Sequence, residues 1–341
     1  MSRTILFITF FSIFVSSTVS SESVLQSNGQ LVIDGHVHIT NTSVLQYLWA
    51  NPNQTANCPC APPCLCNWTI NDYVTINNQG PIPTTKFVFV EVDVNSTQWL
   101  DEATYIQSLS SNNPNLGGIV AQQPPGFAQP GTDFNYLTTA IQNLTLLPLV
   151  KGIRVSNISY NDPDQIQLLI NHTSILVQYG LSMDINTGII TPGVVDGILN
   201  LTNTYPQGIF VLDHVGSAPV LGNSTLQSLW TNSIQRLSKQ PNLYIKVGGI
   251  LQGYKSSGII PTVEQVQPWV TTAITNFGFT NSFYEGNWFF CNWGTPSNLT
   301  ILSVWENMID SILTDMNAGP GTVARNQFLY QTAMKAYRVA M

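Results

Sequence analysis

Charged residues are scarce in this chain of 341 residues. Lysine, arginine, aspartate and glutamate together make up 9% of it, whereas an average soluble domain contains roughly 25%. Eleven basic residues stand against eighteen acidic ones, which gives a formal net charge of −7. Since no basic stretch could neutralise a phosphate backbone, nucleic acid is excluded as a partner. The composition is also unlike the surface of an ordinary cytosolic enzyme.

Long apolar runs are rare as well. The prominent one, Ile5–Val15, follows Arg3 and gives way to small residues near Ser20 and Ser21. It is too short to cross a bilayer of roughly 30 Å as a helix, and no later segment offers about 20 uninterrupted apolar residues. Residues 1–21 are therefore predicted to be a secretory signal peptide, with an uncleaved membrane anchor as the alternative.

The acceptor sequence for N-glycosylation, in contrast, is frequent. It begins at Asn41, Asn53, Asn67, Asn95, Asn143, Asn157, Asn171, Asn200, Asn223 and Asn298. N-glycans would supply the solubility that the few charges do not provide. Together with the signal peptide, these sequences predict a glycoprotein that is secreted or lies in the lumen of the secretory pathway.

Cysteine occurs at five positions, four of which lie close together as Cys58, Cys60, Cys64 and Cys66. In an oxidising compartment this spacing favours two local disulfides and leaves Cys291 unpaired. A zinc site is the alternative, although structural zinc sites usually take their ligand pairs from separated segments.

Short β-rich runs alternate with helical stretches along the rest of the chain. The predicted strands are Leu31–Asp34, Phe87–Val94, Leu116–Ala121, Leu149–Val155, Leu181–Ile185, Ile209–Asp213, Leu243–Val247 and Ser282–Tyr284. The predicted helices are Gln98–Ser110, Asp164–Tyr179, Val194–Tyr205, Thr225–Lys239 and Val263–Phe277. This rhythm predicts an α/β fold, a (β/α)8 TIM barrel over residues 31–340, with the Cys- and Pro-rich residues 51–83 as an insertion after strand one.

Barrels of this type carry their active site at the carboxyl ends of the strands. The polar residues predicted there are Asp34, His36, His38, Glu91, Asp93, Arg154, Asp213, His214, Glu285 and Asn287. His36 and His38 are two residues apart, so on a strand both imidazoles point to one face and can share a divalent metal ion.

Strand two alternates strictly between valine and other residues. Its valines are predicted to face the helices, and the side chains predicted to face the barrel axis are those of Phe87, Phe89, Glu91 and Asp93. A metal ion or a cationic substrate group would explain two acids near the axis. Hydrogen-bonded pairing with Arg154 or Lys246 is the alternative.

Several segments together resemble successive blocks of the amidohydrolase-related family. They are Ile33–His38, Lys151–Arg154, Tyr179–Ile185, Val211–Gly216, Pro241–Lys246, Trp269–Gly278 and Ala333–Arg338, in the order of that family. The similarity is strongest to its lactone-hydrolase branch, typified by L-fuconolactonase and 2-pyrone-4,6-dicarboxylate lactonase, and it spans roughly residues 31–340.

The resemblance implies a metal-type hydrolase with a small-molecule substrate and one divalent ion, zinc or manganese. It implies that His36 and His38 are metal ligands, that Arg154 orients a carboxylate or carbonyl oxygen, and that His214 polarises the carbonyl. Of the two strand-two acids, Glu91 is assigned to the metal and Asp93 to the substrate.

The chain departs from the family after strand eight. The family carries Phe-Gly-Ser-Asp-Trp-Pro there, with the Asp activating water, whereas residues 284–289 read Tyr-Glu-Gly-Asn-Trp-Phe. Asn287 therefore replaces the base, and an amide has no useful basicity. Glu285, one layer deeper, is a possible substitute.

The predicted function is hydrolysis of a lactone or similar small cyclic ester by attack of water on a carbonyl. A secreted pseudoenzyme that binds a small acid or glycan, and a decarboxylase of the same family, are the alternatives. Lys246 is predicted to be the buried partner of an acid, and His172 a surface histidine.

We expect Cys58, Cys60, Cys64 and Cys66 to form two disulfides with one another, because their spacing allows local closure. Peptide mapping by mass spectrometry of the non-reduced protein should therefore recover Cys291 as a free thiol. A peptide that joins Cys291 to any of the other four would contradict this assignment.

Overall fold

The computed structural model of this protein describes residues 29–47, 49, 67–254, 257–289 and 301–341. All eight predicted strands are present: β1 (Ile33–Val37), β2 (Lys86–Val90), β3 (Leu116–Gln122), β4 (Val150–Val155), β5 (Ser182–Ile185), β6 (Phe210–Leu212), β7 (Leu243–Val247) and β8 (Ser282–Tyr284). They form one sheet in sequential order, and all neighbouring pairs are parallel.

The sheet curls until its first strand meets the chain that follows its last. Val37 forms a parallel bridge with Trp288, and the backbone N–H of His38 donates to the carbonyl of Trp288 at 2.8 Å. This nearly closed barrel confirms the predicted (β/α)8 fold.

Helices surround the barrel and lie at both of its ends. They are α1 (Ile70–Asn77), α2 (Trp99–Leu109), α3 (Phe134–Thr145), α4 (Pro163–Gln178), α5 (Pro192–Thr204), α6 (His214–Ser217), α7 (Ser224–Leu237), α8 (Ile250–Tyr254), α9 (Val263–Phe277), α10 (Ile301–Asp315), α11 (Val323–Asn326) and α12 (Thr332–Tyr337). The five predicted helices are confirmed to within two residues. The bounds of α9 follow from local chemistry, since Gln265 accepts from the N–H of Thr262 at 2.9 Å and Gly278 ends the helix with φ +73°.

The buried apolar side chains form two clusters, one inside the barrel and one between the barrel and the surrounding helices. The inner cluster takes side chains from six strands and from the C-terminal residues, namely Ile33, Val88, Val90, Val120, Val211, Tyr244, Phe283, Ala333, Ala336, Tyr337 and Val339. Val339 approaches Gly117 near the start of β3. The C-terminal segment therefore closes the amino end of the barrel and leaves the carboxyl end for a site.

The predicted orientation of strand two is wrong. Val88 and Val90 belong to the inner cluster, whereas Phe87 and Phe89 belong to the outer one, and the Phe87 ring lies 5.2 Å from that of Tyr73 in α1. In β2, therefore, the valines face the interior of the barrel and the two phenylalanines pack beneath the helices. Strict alternation gives two faces but does not say which of them is inside.

The prediction that Asp93 faces the barrel axis is also wrong. Strand β2 ends at Val90, so the alternation stops before this residue. Asp93 has φ +53°, its side chain is exposed, and its N–H donates to Glu91 at 2.6 Å. The turn sends Asp93 outward, whereas Glu91 remains buried.

Several predicted features lie outside the described residues. They are the signal peptide at 1–21, all five cysteines, residues 51–66 of the insertion at 51–83, and the acceptor asparagines Asn53 and Asn298. Of the insertion, the described part contains α1. Among the described helices, none is long and apolar enough to cross a membrane.

His172 is not a surface residue, contrary to the prediction. It retains 4% exposure, and its Nδ1 accepts from the N–H of Ala128 at 2.8 Å. Burial lowers the pKa of His172. Since this nitrogen must stay unprotonated to accept, the neutral imidazole stabilises the loop between β3 and α3, where Ala128 has φ +58°.

We expect acidification to weaken the fold through His172. Its folded-state pKa lies below the ordinary value of about 6.5, so the unfolded chain binds the additional proton, and stability falls as pH drops below that value. Thermal unfolding between pH 7.5 and 5.5 measures the effect. His172→Asn is the matched control, because its amide oxygen can accept from Ala128 without titrating. Equal pH slopes for wild type and variant would contradict the assignment.

Candidate active site

His36 and His38 meet at the carboxyl end of β1, as predicted. Their Nε2 atoms lie 3.1 Å apart, and both side chains are buried. His38 donates from Nδ1 to the carbonyl of Val90 at 2.9 Å. Burial, with Lys246 adding to it for His36 and Arg154 for His38, lowers the pKa of both histidines well below the usual range. They are therefore neutral, as metal ligands must be.

Lys246 occupies the barrel interior among acids, which confirms its predicted role. Its Nζ lies 2.6 Å from Asp184, 2.9 Å from Asp213 and 3.2 Å from Nδ1 of His36. The hydroxyl of Tyr337 also donates to Asp184, at 2.7 Å. The carboxylates outweigh desolvation and raise the pKa of Lys246, so it carries a full charge.

Arg154, from β4, joins three groups. Its Nε donates to Asp213 at 2.8 Å, its Nη1 to Glu91 at 3.3 Å, and its Nη2 to Nε2 of His214 at 3.2 Å. Burial alone would raise the pKa of Asp213, but Lys246 and Arg154 outweigh it and hold the pKa at about 2. Among the described residues, one N–H on each terminal nitrogen of the guanidinium has no hydrogen-bond partner and can bind a ligand.

His214 forms a dyad with Glu285. Its Nδ1 makes a short hydrogen bond to the Glu285 carboxylate. Because arginine has no acceptor, the contact with Arg154 requires an unprotonated Nε2 on His214. The dyad therefore holds His214 as a neutral base with its lone pair directed toward Arg154. The His214 side chain keeps 14% exposure, whereas Glu285 has none.

The backbone that carries His214 is strained. The four residues of α6 form a left-handed turn, with φ between +50° and +62°, and such a conformation costs roughly 1–2 kcal/mol per non-glycine residue. Trp230 holds the turn by donating to the carbonyl of Val215 at 2.9 Å, and Ser217 donates to Thr187 at 2.6 Å. Strain of this kind is often found where a functional side chain must be aimed.

Gly249, after β7, lets the chain pass directly beside His214. Its φ is +66°, and a Cβ there would lie 2.6 Å from Nδ1 of His214. A side chain at this position would displace the imidazole, so this glycine is needed for the dyad.

Asp34 ties β1 to the segment after β8. Its Oδ1 accepts from the N–H of His36 at 3.0 Å and from that of Gly286 at 2.8 Å, and its Oδ2 accepts from the hydroxyl of Tyr73 at 2.8 Å. Burial raises the pKa of Asp34 to about 7. This carboxyl group thereby sets the spacing between the histidine pair and Glu285.

Asn287 is buried and only weakly bonded. Its Nδ2 lies 3.4 Å from Oε1 of Gln252, and its Oδ1 has no hydrogen-bond partner among the described residues. Its φ of +48° is one that asparagine adopts more readily than most residues. The amide oxygen thus remains available to a ligand.

The site fits one divalent cation. Five buried carboxyl groups, Asp34, Glu91, Asp184, Asp213 and Glu285, surround two cationic side chains, Arg154 and Lys246. Burial raises the pKa of Asp34 to about 7, so it is partly protonated, but the other four carboxyl groups still outnumber the two cations. Such an excess of negative charge is costly in a buried setting unless a further cation offsets it. The ligand atoms of His36, His214 and Glu285 lie within 4.8 Å of one another, and His38 lies next to His36.

The structure brings most of the predicted site residues together. His36, His38, Arg154, His214 and Glu285 share one network. The bonds of Glu91 are to Arg154 and to the N–H of Asp93, which is the alternative considered for it from the sequence. Sequence reasoning missed Asp184, Tyr337 and Gly249. An aspartate inside the apolar strand β5 was the signal for Asp184.

No family model matches the chain, and no curated protein sequence matches it. Several solved structures, however, are similar to this chain in fold. An amidohydrolase from Burkholderia multivorans with bound zinc has a TM-score of 0.66 and 13% identity, with 91% of this chain and 100% of that chain covered. A probable 2-pyrone-4,6-dicarboxylic acid hydrolase from Acinetobacter baumannii with citric acid bound has a TM-score of 0.59 and 16% identity, with coverage of 90% and 99%.

A third similar structure is a decarboxylase. It is 5-carboxyvanillate decarboxylase from Novosphingobium aromaticivorans, complexed with manganese and a nitrobenzoic acid, with a TM-score of 0.58, 11% identity and coverage of 92% and 97%. At such identities the likeness shows the fold. These structures confirm the barrel fold that the resemblance to the amidohydrolase-related family implies.

We expect Gly249→Ala to displace His214 without unfolding the barrel. NMR of ¹⁵N-labelled histidine rings should show a change confined mainly to His214. Gly180→Ala is the matched control, because Gly180 also has φ +66° but nothing lies within 4 Å of its added Cβ. Both variants should lose about 1–2 kcal/mol to the left-handed backbone. An unperturbed His214 in Gly249→Ala would refute the positioning role.

Proposed function

We propose that this protein is a secreted, N-glycosylated hydrolase that opens a small lactone or similar cyclic ester. The observation that carries the proposal is the His214–Glu285 dyad beside Arg154. Their arrangement supplies a neutral base and guanidinium N–H groups at the carboxyl end of a barrel. Of the ionisable side chains joined in this network, Arg154 and His214 are the most exposed, with 10% and 14% exposure.

The reaction needs three tasks from these residues. His214 exchanges its hydrogen bond from Arg154 for one from the attacking water, accepts a proton from that water at Nε2, and the water oxygen forms a bond to the carbonyl carbon. Arg154 donates to the carbonyl oxygen as negative charge develops on it. His214 then returns the proton to the ring oxygen as its bond to carbon breaks, which yields a hydroxy acid.

Glu285 and Asn287 have different roles in this scheme. Glu285 accepts from Nδ1–H of His214 and stabilises the imidazolium that forms. It is buried against His36 and His214, so it acts through His214 and does not replace the missing aspartate as a base. Asn287 presents its unpaired amide oxygen to a donor group of the ligand.

His36 and His38 are the residues that would hold a divalent ion, zinc or manganese. When bound, such an ion polarises a carbonyl oxygen or lowers the pKa of a water molecule. Lys246 and Arg154 keep Asp213 ionised and in place, and the neighbouring acids would provide the negative surroundings that a cation requires.

A pH-stat assay on a panel of aldono- and dicarboxylate lactones tests the function, together with metal analysis of the purified glycoprotein. Acid release from a lactone is the expected result. Release of carbon dioxide from an aromatic acid would instead identify a decarboxylase. Binding of a small acid without turnover of any lactone would replace the hydrolase with a pseudoenzyme.

We expect Glu285→Gln to lower kcat by about 10²–10⁴ with little change in KM, because glutamine has no charge to stabilise the imidazolium of His214 and its amide N–H can donate to Nδ1, which favours the unreactive tautomer. Glu306→Gln is the matched control. Glu306 is buried away from the dyad, and burial raises its pKa to about 9, so glutamine resembles its protonated form. A full rate in Glu285→Gln would overturn the dyad mechanism.

The same assay separates the two accounts of Asn287. Since Glu285 supports His214, Asn287→Asp should bring no gain, because it adds a negative charge to a site already rich in buried carboxylates. A rise of 10² or more would show that a lost base at residue 287 limits the reaction.

A further inference from the structure

The exposed charges of this protein are separated between the two ends of the barrel. Most exposed acids follow a strand or lie at the start of a helix, and because the helices run antiparallel to the strands, these positions are at the carboxyl end. They are Asp93, Asp101, Asp133, Asp162, Asp164 and Glu264. At the amino end, Asp315 is exposed as the last residue of α10. The amino end therefore has little negative charge of its own.

Basic side chains show the opposite distribution. Outside the active site, Arg236 and Arg325 form ion pairs with Asp196 and Asp310. The other basic residues of the described chain form no ion pair with a described carboxylate, and all lie where strands begin, helices end or the C-terminal segment closes the barrel. They are Lys86, Lys151, Lys239, Lys335 and Arg338. Such a group of cations, in a chain with a net charge of −7, indicates a surface for a negatively charged partner.

These cations come from separate segments that the fold brings together. A Cβ at Gly117 would lie 3.4 Å from Cβ of Lys86, and a Cβ at the adjacent Gly118 would lie 3.0 Å from Cγ of Lys151. Arg338 donates to the carbonyl of Lys151 at 2.6 Å. Burial and, after it, the like charge of Arg338 lower the pKa of Lys151. The three cations are therefore neighbours around the start of β3.

The head groups of the two strand lysines point apart. Nζ of Lys86 donates to the carbonyl of Pro114 at 2.8 Å, whereas Nζ of Lys151 donates to the carbonyl of Pro148 at 3.1 Å. Because the head groups do not converge on one small anion, they fit an array of negative charges spread over an area, such as lipid headgroups provide.

Two exposed apolar side chains lie on the same face. Leu146 retains 75% exposure and Met341 44%. Leu146 closely precedes Pro148, whose carbonyl binds Lys151, and Met341 closely follows Arg338. A membrane surface accommodates both kinds of group, since anionic headgroups attract cations and the boundary with the acyl chains takes up apolar side chains. A soluble acidic polysaccharide would leave Leu146 in water.

We propose that this amino-end face docks the protein peripherally onto an anionic lipid surface. The face is formed by Lys86, Lys151, Lys239, Lys335 and Arg338, together with Leu146 and Met341. The cations attract the headgroups, and Leu146 enters the boundary beneath them. The candidate active site, at the other end of the barrel, then faces the aqueous phase. This inference does not depend on the reaction that the protein catalyses.

Co-sedimentation with phosphatidylcholine vesicles that contain about 30% phosphatidylserine tests the docking. The glycoprotein should sediment with these vesicles but not with pure phosphatidylcholine, and it should be released as ionic strength rises. Failure to sediment with the anionic vesicles, or equal sedimentation with both kinds, would overturn the proposal. Asn143→Gln removes the glycan acceptor one turn before Leu146 and should bind at least as tightly. Weaker binding of this variant would place the contact elsewhere.

Single charge removals locate the contact. Lys335 is exposed, with Nζ 5.4 Å from the centre of the Tyr244 ring. Lys335→Gln should weaken vesicle binding about fivefold, and Lys86→Gln/Lys335→Gln about 25-fold. Arg236→Gln is the matched control, because it removes the same charge from a cation that is already paired with Asp196, and it should bind like wild type. Equal losses in Arg236→Gln and Lys335→Gln would show that net charge, and not this face, controls binding.

Leu146→Ser distinguishes a membrane from a soluble polyanion, because it leaves the charge unchanged. It should weaken vesicle binding roughly threefold or more and keep the salt dependence. Binding to heparin, combined with vesicle binding that Leu146→Ser does not alter, would identify an acidic polysaccharide as the partner and overturn the proposal. Circular dichroism verifies that each variant is folded. The lactone assay decides the proposed function separately.

Discussion

Asp213 lies between the two buried cations, and the site depends on this carboxylate. Lys246 contacts one of its oxygens at 2.9 Å and Arg154 the other at 2.8 Å. Through Lys246 it is connected to His36 and Asp184, and through Arg154 to Glu91 and His214. Removal of one member of a buried ion pair leaves its partner uncompensated, which commonly costs about 3–5 kcal/mol. Each functional side chain is therefore held by charge as well as by packing.

Backbone conformations that most residues avoid are concentrated around the same site. The left-handed turn at His214–Ser217 directs the base, and Gly249 leaves room for its imidazole. Asn287 has a positive φ as well. Local propensity alone would not produce this arrangement. Hydrogen bonds from Trp230 and Ser217, together with the closed barrel behind them, offset the strain.

The replacement of an aspartate by Asn287 has a different meaning once the neighbouring groups are seen. In sequence it removes the expected base. In the structure, His214 and Glu285 already form an acid–base pair, and the surrounding acids exceed the cations. An uncharged amide at this position limits the excess of buried negative charge and keeps an acceptor for the ligand.

The sequence by itself determined the eight strands, the barrel and most residues of the candidate site, because periodicity, strand ends and the His36–His38 spacing are local properties. Tertiary structure decided which face of β2 is inside, since alternation is symmetric between faces until the barrel closes. It also turned Asp93 outward, buried His172, and joined Glu285 to His214 across 71 residues. Such pairings depend on where the ends of distant strands meet, and that information is not contained in any single segment of the chain.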